Sequence, residues 1–101
     1  MRDQFRSDYL KLLDGRLAAI RTHVATKHFE EARIAMLSLE AASGMLGASR
    51  LVERLRELRG IVDVCPSPQR LALLSLIEAE SDTVRRRLER GDDPDSSASV
   101  L

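Results

Sequence analysis

Leu10, Leu13, Leu17, Ile20 and Val24 recur at steps of 3, 4, 3 and 4. That spacing lines all five along one stripe of an α-helix, whereas a strand would scatter them over both of its faces. Phe5 extends the stripe upstream, so a first helix is predicted over about Asp3 to Thr26. Asp14-Gly15 interrupts it, and a glycine inside a helix costs roughly 1 kcal/mol against alanine. Because the stripe keeps its phase across the interruption, the helix is read as continuous.

Three further segments repeat the pattern. The second helix is predicted over about His28 to Leu46, with Phe29, Ala32, Ala35, Met36, Leu39, Ala42 or Ser43, and Leu46 facing inward. Gly47 supplies its stop. The third runs from about Ser49 to Val62 and buries Leu51, Leu55, Leu58 and Val62, after which Asp63 to Pro66 turn the chain. Ser67-Pro68 sets a capping hydroxyl before a proline at the first helical position. The fourth helix follows to about Arg90, with Leu71, Leu74, Ile77, Val84 and Leu88 in phase, and Gly91 ends it. The closing DDPDSSASVL is too polar to order itself, so residues 92–101 are expected to be a disordered polar tail. Connections of a few residues make neighbouring helices antiparallel. Residues 1–91 are therefore expected to form an all-α, antiparallel up-down four-helix bundle.

Composition then excludes several classes of function. A chain of 101 residues makes one domain with one modest core, too small for a deep catalytic cavity beside it. Lys+Arg and Asp+Glu number 16 each, so no net field steers the protein onto nucleic acid or an anionic membrane, and neither is expected as a partner. No apolar run approaches the roughly 18 residues of a membrane span, and Met1-Arg2-Asp3 opens on charge, unlike a signal peptide. Cys65 is the single cysteine. It excludes an internal disulfide and suits a reducing compartment, so a cytoplasmic location is expected.

Candidate chemistry is sparse. His23 and His28 are the two imidazoles. Their spacing, with one distant cysteine, gives no metal-ligand set, and neither a metal nor a cofactor is expected. Arg85, Arg86, Arg87 and Arg90 cluster where cations favour the end of a helix; they read as a solvated face, with phosphate binding the sharper alternative. No glycine loop, nucleophile elbow or purposeful carboxylate pair occurs. A catalytic role is therefore not expected.

The stretch HFEEARIAMLSLEAASGMLGASRLVERLRELRG resembles the centre of a histidine phosphotransfer (HPt) domain. That family carries a motif of the form A-x-H-x-L-K-G-S-x-x-x-L-G-A-x-x-L on the second long helix of a four-helix bundle. Ala35, Leu39, Ser43 (within one place), Leu46, Gly47, Ala48 and Leu51 fit its packing positions, with Phe29 and Ala32 leading in. The likeness spans about residues 5–90. It departs from the motif where phosphate is handled: Leu37 stands for the phosphoacceptor histidine, Glu40 for the following lysine and Ala41 for the glycine. Phosphotransfer needs a nucleophilic nitrogen and cationic help for the transferring group. Leucine has no lone pair, and glutamate opposes the anion.

The resemblance implies a working surface without the chemistry. An outward ridge through Arg33, Leu37, Glu40 and Gly44 corresponds to the face on which a receiver domain docks in the family. Ile34, Leu37, Ala41 and Met45 would form an apolar patch there, rimmed by Glu30, Arg33 and Glu40, with Gly44 allowing close approach. The plainer reading is that a lone exposed leucine needs no explanation. The implied function is a non-catalytic module that binds a response regulator or histidine kinase and modulates it without phosphotransfer, as a monomer or weak homodimer. Two alternatives stand beside it: an active phosphotransferase using His23 or His28, and a structural bundle that self-associates through the Leu37 face.

Overall fold

Each break in the apolar periodicity except Asp14-Gly15 becomes a turn. The computed structural model describes residues 3–91, in which α1 spans Asp3–Ala25, α2 Phe29–Leu46, α3 Ser49–Ile61 and α4 Ser67–Glu89. The expected polar tail, 92–101, lies outside the described residues. α1 runs unbroken through Gly15. It ends with Lys27 in the left-handed region, at φ 61, and the His28 N–H donates back to the His23 carbonyl at 2.8 Å. Gly47 closes α2 in the same way at φ 85, with the Ala48 N–H bonded to the Ser43 carbonyl at 3.0 Å. Glycine serves this position because it has no Cβ to clash.

The start of α4 differs from expectation. Ser67 lies inside the helix and Pro66 precedes it, with no side-chain cap. The Ser67 hydroxyl instead accepts from the Arg70 guanidinium at 2.9 Å.

α1 packs on α2, α2 on α3, α3 on α4, and α4 returns to α1. Neighbours run antiparallel: Tyr9 near the start of α1 meets Ser43 near the end of α2, Asp14 pairs with Arg85 and Arg21 with Glu78. The result is an all-α four-helix bundle. Its core takes Leu13, Ile20 and Val24 from α1, Met36 and Leu39 from α2, Leu51, Leu55 and Leu58 from α3, and Ile77, Val84 and Leu88 from α4. Leu10, Leu17, Phe29 and Ala42 pack partly against it, and Ser43 rather than Ala42 is fully buried.

Two apolar expectations fail. Phe5 remains 40% exposed, and Leu71 points to solvent. The α4 seam is instead Arg70, Leu74, Ile77, Ser81, Val84 and Leu88. Its two polar members are satisfied where they sit. Ser81 Oγ donates to the Ile77 carbonyl at 2.8 Å. Arg70 donates to the Val62 and Cys65 carbonyls, each at 2.9 Å, and its guanidinium lies 4.9 Å from the centre of the Phe29 ring. One arginine thus ties the α3–α4 turn to the start of α2. Among the described residues, no helix is long and apolar enough to cross a membrane.

Candidate functional site

An α-helix turns 100° per residue, so Glu30, Ile34, Leu37, Ala41, Gly44 and Met45 fall within one sector of α2 about a quarter-turn wide. All six are exposed. Ile34 is 60%, Leu37 49% and Met45 80% accessible, which makes this the densest line of exposed bulky apolar side chains on any one helix. The flanks of α2 are taken by its neighbours, with Met36 and Leu39 inside. Nothing lies within 4 Å of where a Cβ would stand on Gly44, so the ridge is low there and high at Ile34.

The two expected charged members occupy the α3 flank rather than the crest. Glu40 is only 8% exposed. Its carboxylate accepts from Arg59 Nε at 2.5 Å and from the second Arg59 nitrogen at 3.0 Å, with Arg56 Nε at 3.7 Å. The hydrogen bond to Glu40 holds the Arg59 guanidinium above its usual range. Glu40 is therefore a link between α2 and α3, and the expectation that it forms an outward rim is corrected. Arg33 is half-buried and pairs with Asp63 at 2.7 Å and Glu30 at 3.4 Å. That contact keeps the Asp63 carboxyl below the ordinary carboxylate range, chiefly through the hydrogen bond from Arg33. The crest runs through 30, 34, 37, 41, 44 and 45, rotated away from the expected line through 33, 37, 40 and 44.

Two hollows border the crest on its α1 side. Beside Met45, a groove of about 160 Å³ is lined almost wholly by apolar atoms of Phe5, Tyr9, Leu12, Ala42 and Met45. Beside Ile34, a shallow groove of about 280 Å³ is lined by Arg16, Ala19, His23, Ala35 and Ser38. On the α3 side, Gly44, Gly47, Val52, Glu53 and Arg56 line a third hollow. The fixed polar link in the groove beside Ile34 is Arg16 Nε donating to Ser38 Oγ at 2.9 Å.

The remaining candidates do not converge on the crest. His28 Nδ1 and Thr26 Oγ1 share a hydrogen bond of 2.7 Å, and the His28 ring meets His23 edge-on at 6.2 Å. His28 immediately precedes α2, about 13 Å along the axis from Leu37. The arginine cluster of α4 disperses, Arg85 to Asp14 and Arg86 to Asp82. Cys65 is free and buried, and no group of three or more potential metal-ligating side chains occurs among the described residues. The Glu40–Arg59, Tyr9–Ser43 and Arg70 interactions were not foreseen. The available signal was a polar residue standing at a stripe position, which Ser43, Arg70 and Ser81 each do.

No family model matches this chain, and no curated protein and no solved structure matches it. The resemblance to the HPt family rests on the residues quoted above.

Proposed function

We propose that this bundle is a non-catalytic interaction module, a pseudo-HPt domain, that binds a response regulator or histidine kinase of a two-component system through the crest of α2. The observation that carries the reading is Leu37. It is half-exposed at the middle of the crest, at the position that holds the phosphoacceptor in the motif the sequence resembles. A leucine there can anchor a partner but cannot accept phosphate, since phosphoryl transfer requires a nucleophile at that position. Glu40, at the place of the family's lysine, is consumed by Arg59 and offers a phosphate neither help nor an exposed charge. The shallow profile at Ala41 and Gly44 lets another backbone come close, and a few buried anchors dominate such contacts.

Two measurements test the reading. Incubated with a phosphorylated receiver domain or a cognate kinase, the protein should acquire no label; radiolabel on this chain refutes the non-catalytic assignment. Immobilised wild-type protein should retain a receiver or kinase from extract of its own cell. Burying a leucine is worth roughly 1.5–3 kcal/mol, so Leu37→Ala should weaken that binding about tenfold to a hundredfold. Leu37→Asp should weaken it further, because it also strands a charge. Retention unchanged by either substitution moves the surface elsewhere.

A further inference from the structure

We infer that the crest of α2 also pairs with the crest of a second copy of this chain, in an antiparallel two-fold register centred near residue 39. Along the crest, bulk and hollow are related by reversal. Ile34 and Leu37 stand high, while Ala41 and Gly44 are low and open. The midpoint of 34 and 44 is 39, and so is the midpoint of 37 and 41. A two-fold axis across the helix at that level brings Ile34 level with the partner's Gly44 and Leu37 level with the partner's Ala41. The axis repeats both contacts in the opposite sense, as an isologous interface must. A parallel pairing would set Ile34 against Ile34 and leave the low ground empty.

The hollows follow the same symmetry. Met45 lies at the level of the partner's residue 33, beside the groove whose floor is Ala19 and Ala35 and whose rim carries Arg16, His23, Glu31 and Ser38. That groove would receive one of the most exposed apolar side chains on the molecule. The axis keeps each α1 flank facing its counterpart, so both copies make this contact.

Charge complements the fit. Glu30 and Glu31 lie in the first turn of α2, and α3 begins at Ser49 with no side-chain cap and no acidic residue in its first turn. The register brings Glu30 to the level of the partner's residue 48, beside that uncapped helix start, whose free N–H groups favour a carboxylate. An unrelated partner would require neither the size reversal nor the matching of one end's acid to the other end's helix start. This inference stands on the face alone and does not rest on the two-component partner. If both hold, dimer and complex exclude each other.

The test is sedimentation equilibrium on the full chain, from about 10 μM to about 1 mM, a range that captures micromolar or weaker association. The mass should rise from 11.3 kDa toward double. Gly44→Leu and Ala41→Leu fill the low ground without touching the core, so each should raise the dimer dissociation constant about tenfold or more while helical content and melting stay near wild type. Register is read by oxidising cysteine variants: a mixture of Ile34→Cys and Gly44→Cys chains should give the mixed disulfide. Ile34→Cys alone should not, because its two copies sit about 15 Å apart along the axis. A monomer throughout, a dimer indifferent to Gly44→Leu, or an Ile34→Cys homodisulfide overturns the inference. A monomer that still retains a receiver leaves the proposed partner standing.

Discussion

Tyr9→Phe deletes a single oxygen from the core and leaves Ser43 facing an empty bonding site. The Tyr9 hydroxyl and Ser43 Oγ are 2.7 Å apart and buried, and Ser43 is wholly shielded from water. Leaving one buried partner unsatisfied costs about 1–3 kcal/mol. The serine has a partial escape, rotation toward the carbonyl four residues back in α2, which puts the expected loss near 1 kcal/mol. Ser43→Ala strands the phenol, which has no such helix carbonyl within its reach on α1, and should lose about 2 kcal/mol. The double variant removes donor and acceptor together, and replacing both by apolar groups is close to neutral. Its loss should therefore fall well below the sum of the singles, a coupling of about 1–2 kcal/mol. Urea unfolding at constant slope measures this, and each 1 kcal/mol should appear as a shift of about 4–8 °C in Tm. Strictly additive losses, or single variants as stable as wild type, would refute a hydrogen bond that ties α1 to α2.

Leu39→Ala and Leu55→Ala empty fully buried sites and should each cost about 2–5 kcal/mol. Leu37→Ala should stay within about 0.5 kcal/mol, and a larger loss by chemical denaturation would place Leu37 in the core. Arg70→Met keeps the length of the side chain but abandons the Val62 and Cys65 carbonyls; a loss of about 2–3 kcal/mol is expected, with faster amide exchange in the α3–α4 turn. Lys27→Gly relieves a non-glycine residue at φ 61 and should raise stability by roughly 1 kcal/mol, read as a higher denaturation midpoint. Burial raises the Tyr9 phenol above its ordinary 10.0, outweighing the opposing Ser43 hydrogen bond and Arg85 charge. The unfolded chain therefore loses this proton first: stability is intact below pH 10 and declines as pH climbs from there toward the folded-state value. Because Tyr9 is the single tyrosine, phenolate absorbance follows it alone, and Tyr9→Phe should flatten this part of the alkaline stability profile.

The number of helices, their ends and most of the core could be read from the sequence because they depend on local geometry. A 3–4 spacing fixes a stripe whatever surrounds it, which is why Leu13, Ile20, Leu51, Leu55, Ile77 and Leu88 fall where the periodicity puts them. Gly47 and Gly91 end helices for an equally local reason, a positive φ. Leu37 was legible as outward for the same reason, since it stands off its own helix's stripe.

The tertiary structure alone decided how far around each helix burial extends. A stripe gives the direction of the core but not which flank a neighbour covers. α3 covers the flank of α2 that carries Glu40, and so an acid that sequence placed on the rim became a buried partner of Arg59, 19 residues away. Tyr9 and Ser43, 34 apart, satisfy each other for the same reason. On α4 the seam passes through Arg70 and Ser81 and leaves Leu71 outside. Polarity hid those two positions in the sequence; the fold could bury them because the turn carbonyls of Val62 and Cys65 and the helix carbonyl of Ile77 meet their hydrogen bonds. A buried polar group is tolerated only when its partner arrives, and in Glu40, Ser43 and Arg70 that partner comes from another element of the fold.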